Sequence, residues 1–200
     1  MFRRLPTHTF QLCFLFGFLL FLNRCAETSK TTPPSGDVTT TRPVPAEKPQ
    51  VVYDLSKEDI TKIPEITSRN ISVEGVKLGD RTRDVDKLMG NPIKTETLPR
   101  HYRSAYRNHG IYLEFDKFTG KVLTIYVNTN YYKQAKGALS DLLAHGNIDL
   151  LKKSFGDNPK ESSPEANTTL WDYPEKGIQF VHIKQAGTAS YTLKLVEPKP

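Results

Sequence analysis

A glycine-led spacing that occurs twice sets the tightest bound on how this chain folds. Gly90-Asn91-Pro92 returns as Gly156-Asp157-Asn158-Pro159 with one residue inserted. Gly110-Ile111-Tyr112-Leu113-Glu114-Phe115 returns as Gly177-Ile178-Gln179-Phe180-Val181-His182. The intervals agree, at 20 residues from Gly90 to Gly110 and 21 from Gly156 to Gly177. The runs Lys121–Val127 and Ser190–Val196 then fall at matching places. Ordered coincidences of this kind point to a duplicated supersecondary unit.

Within each copy the apolar spacing predicts helices followed by strands. A short helical pattern lies near Ser56–Ile63, and Val85, Leu88 and Met89 sit at i, i+3 and i+4 before Gly90, a left-handed C-cap. Leu150, Leu151 and Phe155 before Gly156 repeat that layout, and Ala138, Leu139, Leu142 and Leu143 form another amphipathic helix upstream. Ile111, Leu113 and Phe115 alternate with Tyr112 and Glu114, the mark of a strand with one apolar face. Asp116–Gly120 reads as a hairpin loop leading to Leu123, Ile125 and Val127. Trp171 and Tyr173 lead through a turn into Ile178 and Phe180 in the second copy. The expected class is α+β: two tandem modules, each a helix pair with a three-stranded antiparallel sheet, over 51–130 and 131–197.

The first 50 residues are of another kind. Arg3 and Arg4 precede Phe10–Leu22, a run of 13 residues that is apolar except for Gln11, which is the layout of an export signal over 1–24. As a helix the run would be about 20 Å long. A hydrocarbon core of about 30 Å makes it short for a stable span. Leu22-Asn23-Arg24-Cys25 resembles a bacterial lipobox, with Asn23 and Arg24 where small residues are usual, and predicts a lipidated Cys25. Residues 26–50 hold five prolines, six threonines and no aromatic, so 25–50 is expected to be the anchor cysteine and a disordered tether. Such a coil would span roughly 28 Å. Removing 1–24 takes away three arginines, which lowers the formal net charge from +6 to +3 and removes the main support for nucleic-acid binding. With one cysteine left after processing, no internal disulfide is available.

From Val76-Lys77-Leu78-Gly79 onward the first copy resembles the BamE/SmpA (OmlA) family of outer-membrane lipoproteins. Gly79, Val85, Gly90 and Pro92 match its glycine–valine–glycine–proline spacing, with Leu88-Met89 in the leucine-rich slot. Leu113, Phe115, Asp116, Gly120, Val122 and Ile125 match its downstream element. Asp80-Arg81 stands where the family has Met-Thr, and the second copy has His145-Gly146 one position out of register. The tandem arrangement looks like that of the β-lactamase inhibitor protein. The resemblance implies a helix pair on a three-stranded sheet, and a binding module rather than an enzyme.

The chemistry of the residues leads to the same expectation. His101, His109, His145 and His182 are dispersed without ligand spacing, and no H-E-x-x-H, Walker loop or G-x-S-x-G occurs. No cofactor, metal or catalytic set is expected. The strongest surface feature is Arg100–His109, where a strand would put Arg103 and Arg107 on one face and Tyr102 and Tyr106 on the other. Arg and Tyr favour protein interfaces, so these four are the candidate binding residues. The expected function is non-catalytic: an envelope lipoprotein of the outer membrane, facing the periplasm or the cell surface. It would hold the membrane through acylated Cys25 and bind another envelope protein, for assembly, maintenance or inhibition. A surface adhesin for host ligands and an envelope hydrolase are the alternatives.

Overall fold

The computed structural model describes residues 51–199. The expected signal segment, Cys25 and the tether lie outside the described residues. Chain order begins with β1 (Tyr53–Asp54), a one-turn 3-10 helix (Ile60–Lys62), β2 (Ile71–Ser72) and α1 (Thr82–Met89). A meander follows: β3 (Lys94–Thr97), β4 (His101–Tyr106), β5 (Ile111–Asp116) and β6 (Val122–Asn128). Next come α2 (Gly137–His145) and α3 (Ile148–Phe155). A second meander closes the chain: β7 (Lys160–Glu165), β8 (Thr168–Tyr173), β9 (Ile178–Gln185) and β10 (Thr188–Leu195).

The expected pair of α+β modules is wrong. The structure is mostly β, one eight-stranded antiparallel sheet of order β3-β4-β5-β6-β10-β9-β8-β7 with three short α-helices. Three physical causes account for the difference. Each meander has a fourth strand, β3 (KTET) and β7 (KESSPE), in which every residue is exposed, so neither carries the apolar alternation that marks a half-buried strand. They are the sheet's two edges, where charged side chains and Pro164 blunt pairing with other chains. The helix expected near Ser56–Ile63 shrinks to the single turn capped by the Asp59 side chain on the Thr61 N–H, with Pro64 two residues past its end. Finally, β6 and β10 pair with each other, Leu193 opposite Val127 and Leu195 opposite Ile125, which fuses two meanders into one sheet.

Strand alternation gives this sheet one apolar face. Ile111, Leu113, Phe115, Ile125, Val127, Phe180, Leu193 and Leu195 are all buried on it, beneath Val85 and Met89 of α1, Leu139, Leu142 and Leu143 of α2, and Leu151 and Phe155 of α3. Ile60, Ile63 and Ile66 complete the covering layer. Aromatic rings mesh within it: Phe180 lies 5.9 Å from Trp171 and 6.1 Å from Tyr191, and Phe155 lies 5.9 Å from Tyr173. Full burial of each such ring contributes about 1.5–3 kcal/mol.

Local chemistry fixes how the helices dock. The N-terminus of α1 is tied to the β5–β6 hairpin, with the Thr82 N–H donating to the Gly120 carbonyl at 2.9 Å and Gly79 N–H to Val122 at 2.8 Å. The α3 N-terminus is capped by Asn147, whose side chain accepts from the Leu150 N–H. Between α2 and α3, Gly146 takes a left-handed φ of 64°, and the Tyr191 ring fills the space where a Cβ would stand.

Candidate binding face

The opposite face of the sheet carries the residues that alternate with the core, and no described helix packs on it. One row crosses all eight strands: Lys94, Ala105, Tyr112, Tyr126, Lys194, Gln179, Asp172 and Lys160. A second row sets Glu96, Arg103, Glu114 and Thr124 side by side. This face is polar, aromatic and mixed in charge.

Its centre is Arg103. The guanidinium donates to Glu114 Oε1 twice, from Nη2 at 2.5 Å and from Nε at 3.1 Å. Its carbon also lies 5.3 Å from the centre of the Tyr126 ring, while Lys194 Nζ lies 5.4 Å from the same centre. Tyr126 is therefore flanked by two cations, one from each meander, an arrangement that exists only because β6 pairs with β10. Burial is the largest influence on the Glu114 carboxyl and pushes it up, but the hydrogen bonds from Arg103 and Tyr126 and the nearby positive charge of Arg103 together outweigh it and hold the group below its usual range. Burial, followed by the Glu114 charge, pushes the Tyr126 phenol up to about 12, so it remains a neutral donor. Two hollows flank this centre and share Arg103 and Tyr112: one of about 380 Å³ toward Lys94, Glu96 and His109, the other of about 200 Å³ toward Tyr126, Asn128 and Thr192.

The structure separates the four residues that the sequence grouped. Tyr102 and Tyr106 do share a face, but it is the core side. Tyr102 stacks on Phe115 at 4.9 Å and shares a 2.5 Å hydrogen bond with the Thr82 hydroxyl. Tyr106 is 2% exposed. Arg107 is not on the Arg103 face, because β4 stops at Tyr106 and Arg107-Asn108-His109 form a turn with φ of 49°, 55° and 61°. Arg107 Nε instead donates to Glu74 Oε2 at 2.5 Å, and Glu74 Oε1 accepts from the Tyr131 hydroxyl at 3.0 Å. Only Arg103 of the four stands on the open face. Tyr112 and Glu114 were legible there from alternation, whereas Tyr126 and Lys194 come together through a pairing that no local pattern announces.

One further polar cluster resembles a catalytic set. His145 Nδ1 lies 2.8 Å from Asp141 Oδ1, beside a hollow of about 520 Å³ that Ser140 also lines. The Ser140 hydroxyl, however, donates to the Tyr132 carbonyl at 2.7 Å, so its proton is directed away from the imidazole. His145 and Asp141 are an exposed i, i+4 pair on α2. Among the described residues, no group of three or more His, Cys, Asp or Glu side chains is placed to hold a metal ion, and no helix is long and apolar enough to cross a membrane.

No protein-family model matches the chain, and no curated protein matches it. Among solved structures it is similar to a DUF4309 family protein (YjgB) from Bacillus subtilis, at 14% identity and a TM-score of 0.38, over 62% of this chain and 84% of that one. A likeness at that level says nothing of what this chain does.

Proposed function

We propose that the protein is an exported envelope lipoprotein, held to the membrane through acylated Cys25, that binds another protein on the open face of its sheet and performs no catalysis. The observation that carries the reading is the asymmetry of the sheet. Three helices and the 51–80 segment cover one face, while the other presents Arg103, Tyr112 and Tyr126, residue types that favour protein contacts, with Lys194 beside them. The signal, cysteine and tether order supplies the location, and the tether gives the domain reach from the membrane.

A photo-crosslinking residue in place of Tyr112, compared with one in place of Lys153 on the helical side, tests the face. A discrete adduct from Tyr112 alone, lost on Arg103→Glu, is the expected result. Identical adducts from both positions, or none, would refute it. Metabolic palmitate labelling tests the anchor: the wild type should incorporate label and Cys25→Ala should not.

A further inference from the structure

The β5–β6 hairpin projects the most exposed large apolar side chain among the described residues, Phe118, which is 88% exposed. Its presentation is built rather than incidental. Asp116 Oδ1 accepts from the Phe118 N–H at 3.0 Å, the Thr119 N–H at 2.7 Å and the Thr119 hydroxyl at 2.9 Å. Those bonds draw the carboxylate into the turn. They also hold its pKa down. Around the tip stand four exposed cations. Lys117 and Lys121 flank the loop, Arg81 is bridged to Lys121, and the Arg100 carbonyl accepts from the Lys117 N–H at 3.3 Å. None of the four makes an ion pair among the described residues, whereas neighbouring Arg83 faces Asp84 at 3.7 Å. Asp80 and Asp116, the acids on these loops, are engaged by backbone N–H groups, Asp80 by that of Lys77 at 2.8 Å.

We infer that this hairpin is a contact for an anionic phospholipid surface. Phe118 would enter the headgroup boundary while the long stems of Lys117, Lys121, Arg81 and Arg100 place their charges among the phosphates. An exposed tip whose one aromatic ring pairs with no other among the described residues suits a fluid interface. Single-stranded nucleic acid calls instead for a groove with successive stacking platforms. The inference rests on the membrane-proximal location proposed above but uses a different surface from the open face. The anchor brings the domain to the bilayer, and the hairpin then sets which end of the sheet meets it.

Bromine-labelled lipid quenching of Phe118→Trp in the full chain tests this contact, because it reports on the tip whatever else binds. The wild type, with its single Trp171 on the core side, supplies the background. On vesicles of phosphatidylcholine with roughly a third phosphatidylserine, the introduced indole should be quenched well above that background. Each cation near such a surface contributes about fivefold to partition. Lys117→Glu with Lys121→Glu should therefore lower the quenched fraction at least fivefold at limiting lipid, as should vesicles of phosphatidylcholine alone. Quenching no greater than background, or equal on both vesicle types and indifferent to the charge reversals, would overturn the inference. All three positions are exposed, so these variants leave the core intact. Palmitate labelling and the Tyr112 cross-link fail or succeed independently of this result.

Discussion

Replacing Glu114 by Gln tests how the open face is held together. The side chain is 12% exposed and its partner Arg103 37%, so the pair lies between two well-characterised regimes. Exposed pairs contribute about 0.2–1 kcal/mol. Removing one partner of a fully buried pair costs about 3–5 kcal/mol. One carboxylate oxygen accepts both Arg103 bonds, and Gln keeps an acceptor there but loses the charge that strengthens them. The expected loss is about 2 kcal/mol, which lowers a urea midpoint by about 1 M at an m-value of about 2 kcal/mol/M. The fluorescence of Trp171 reports the transition. Because the folded-state pKa of Glu114 is depressed, its contribution is fully present above the unfolded carboxyl value of about 4.3 and is lost as pH falls through the folded value. The gap between wild type and Glu114→Gln should therefore be present at neutral pH and close in strong acid. A cycle with Arg103→Met should show a coupling of about 1–2 kcal/mol. A loss under about 0.5 kcal/mol, or a gap that does not change with pH, would refute the ion pair as the organising contact.

Other consequences follow from both faces of the sheet. His182 stacks on Tyr191 at 4.9 Å with a buried Nε2 that has no partner among the described residues, and burial, with Lys184 adding to it, holds the imidazole pKa below its ordinary value. The unfolded chain thus takes up a proton first as pH falls, so wild-type stability should decline below about pH 6.5, and His182→Phe should remove that decline in urea midpoints at pH 7.5 and 5.5. Gly146→Ala adds a methyl into the Tyr191 ring at a left-handed φ of 64°, so a loss of about 3 kcal/mol is expected in thermal or urea unfolding. Arg103→Glu turns an attraction to Glu114 into a repulsion, and should abolish the Tyr112 cross-link while the chain still gives a cooperative Trp171 transition.

Local chemistry was legible from the residues themselves. Ile111, Leu113 and Phe115 announce a half-buried strand because strand side chains alternate, and all three are fully buried. The helix ends before Gly90 and Gly156 follow from apolar spacing that stops at a residue free to adopt positive φ, although Gly90, expected as a left-handed cap, has φ 75° with ψ −168° and so lies outside the αL region. Such features depend on neighbours a few positions apart along the chain. The polar strands β3 and β7 escaped because they bury no face, so their pairing rests on backbone hydrogen bonds that any side chain permits. Tertiary structure alone decided that β6 meets β10. Either strand could have ended a separate sheet, and their union satisfies two rows of backbone groups that would otherwise be exposed edges. From that one pairing come the single eight-stranded sheet and the placing of Arg103 and Lys194 on the same tyrosine ring. The halves of that cluster lie some ninety positions apart in sequence, beyond the reach of any local period, and only the folded backbone brings them within contact.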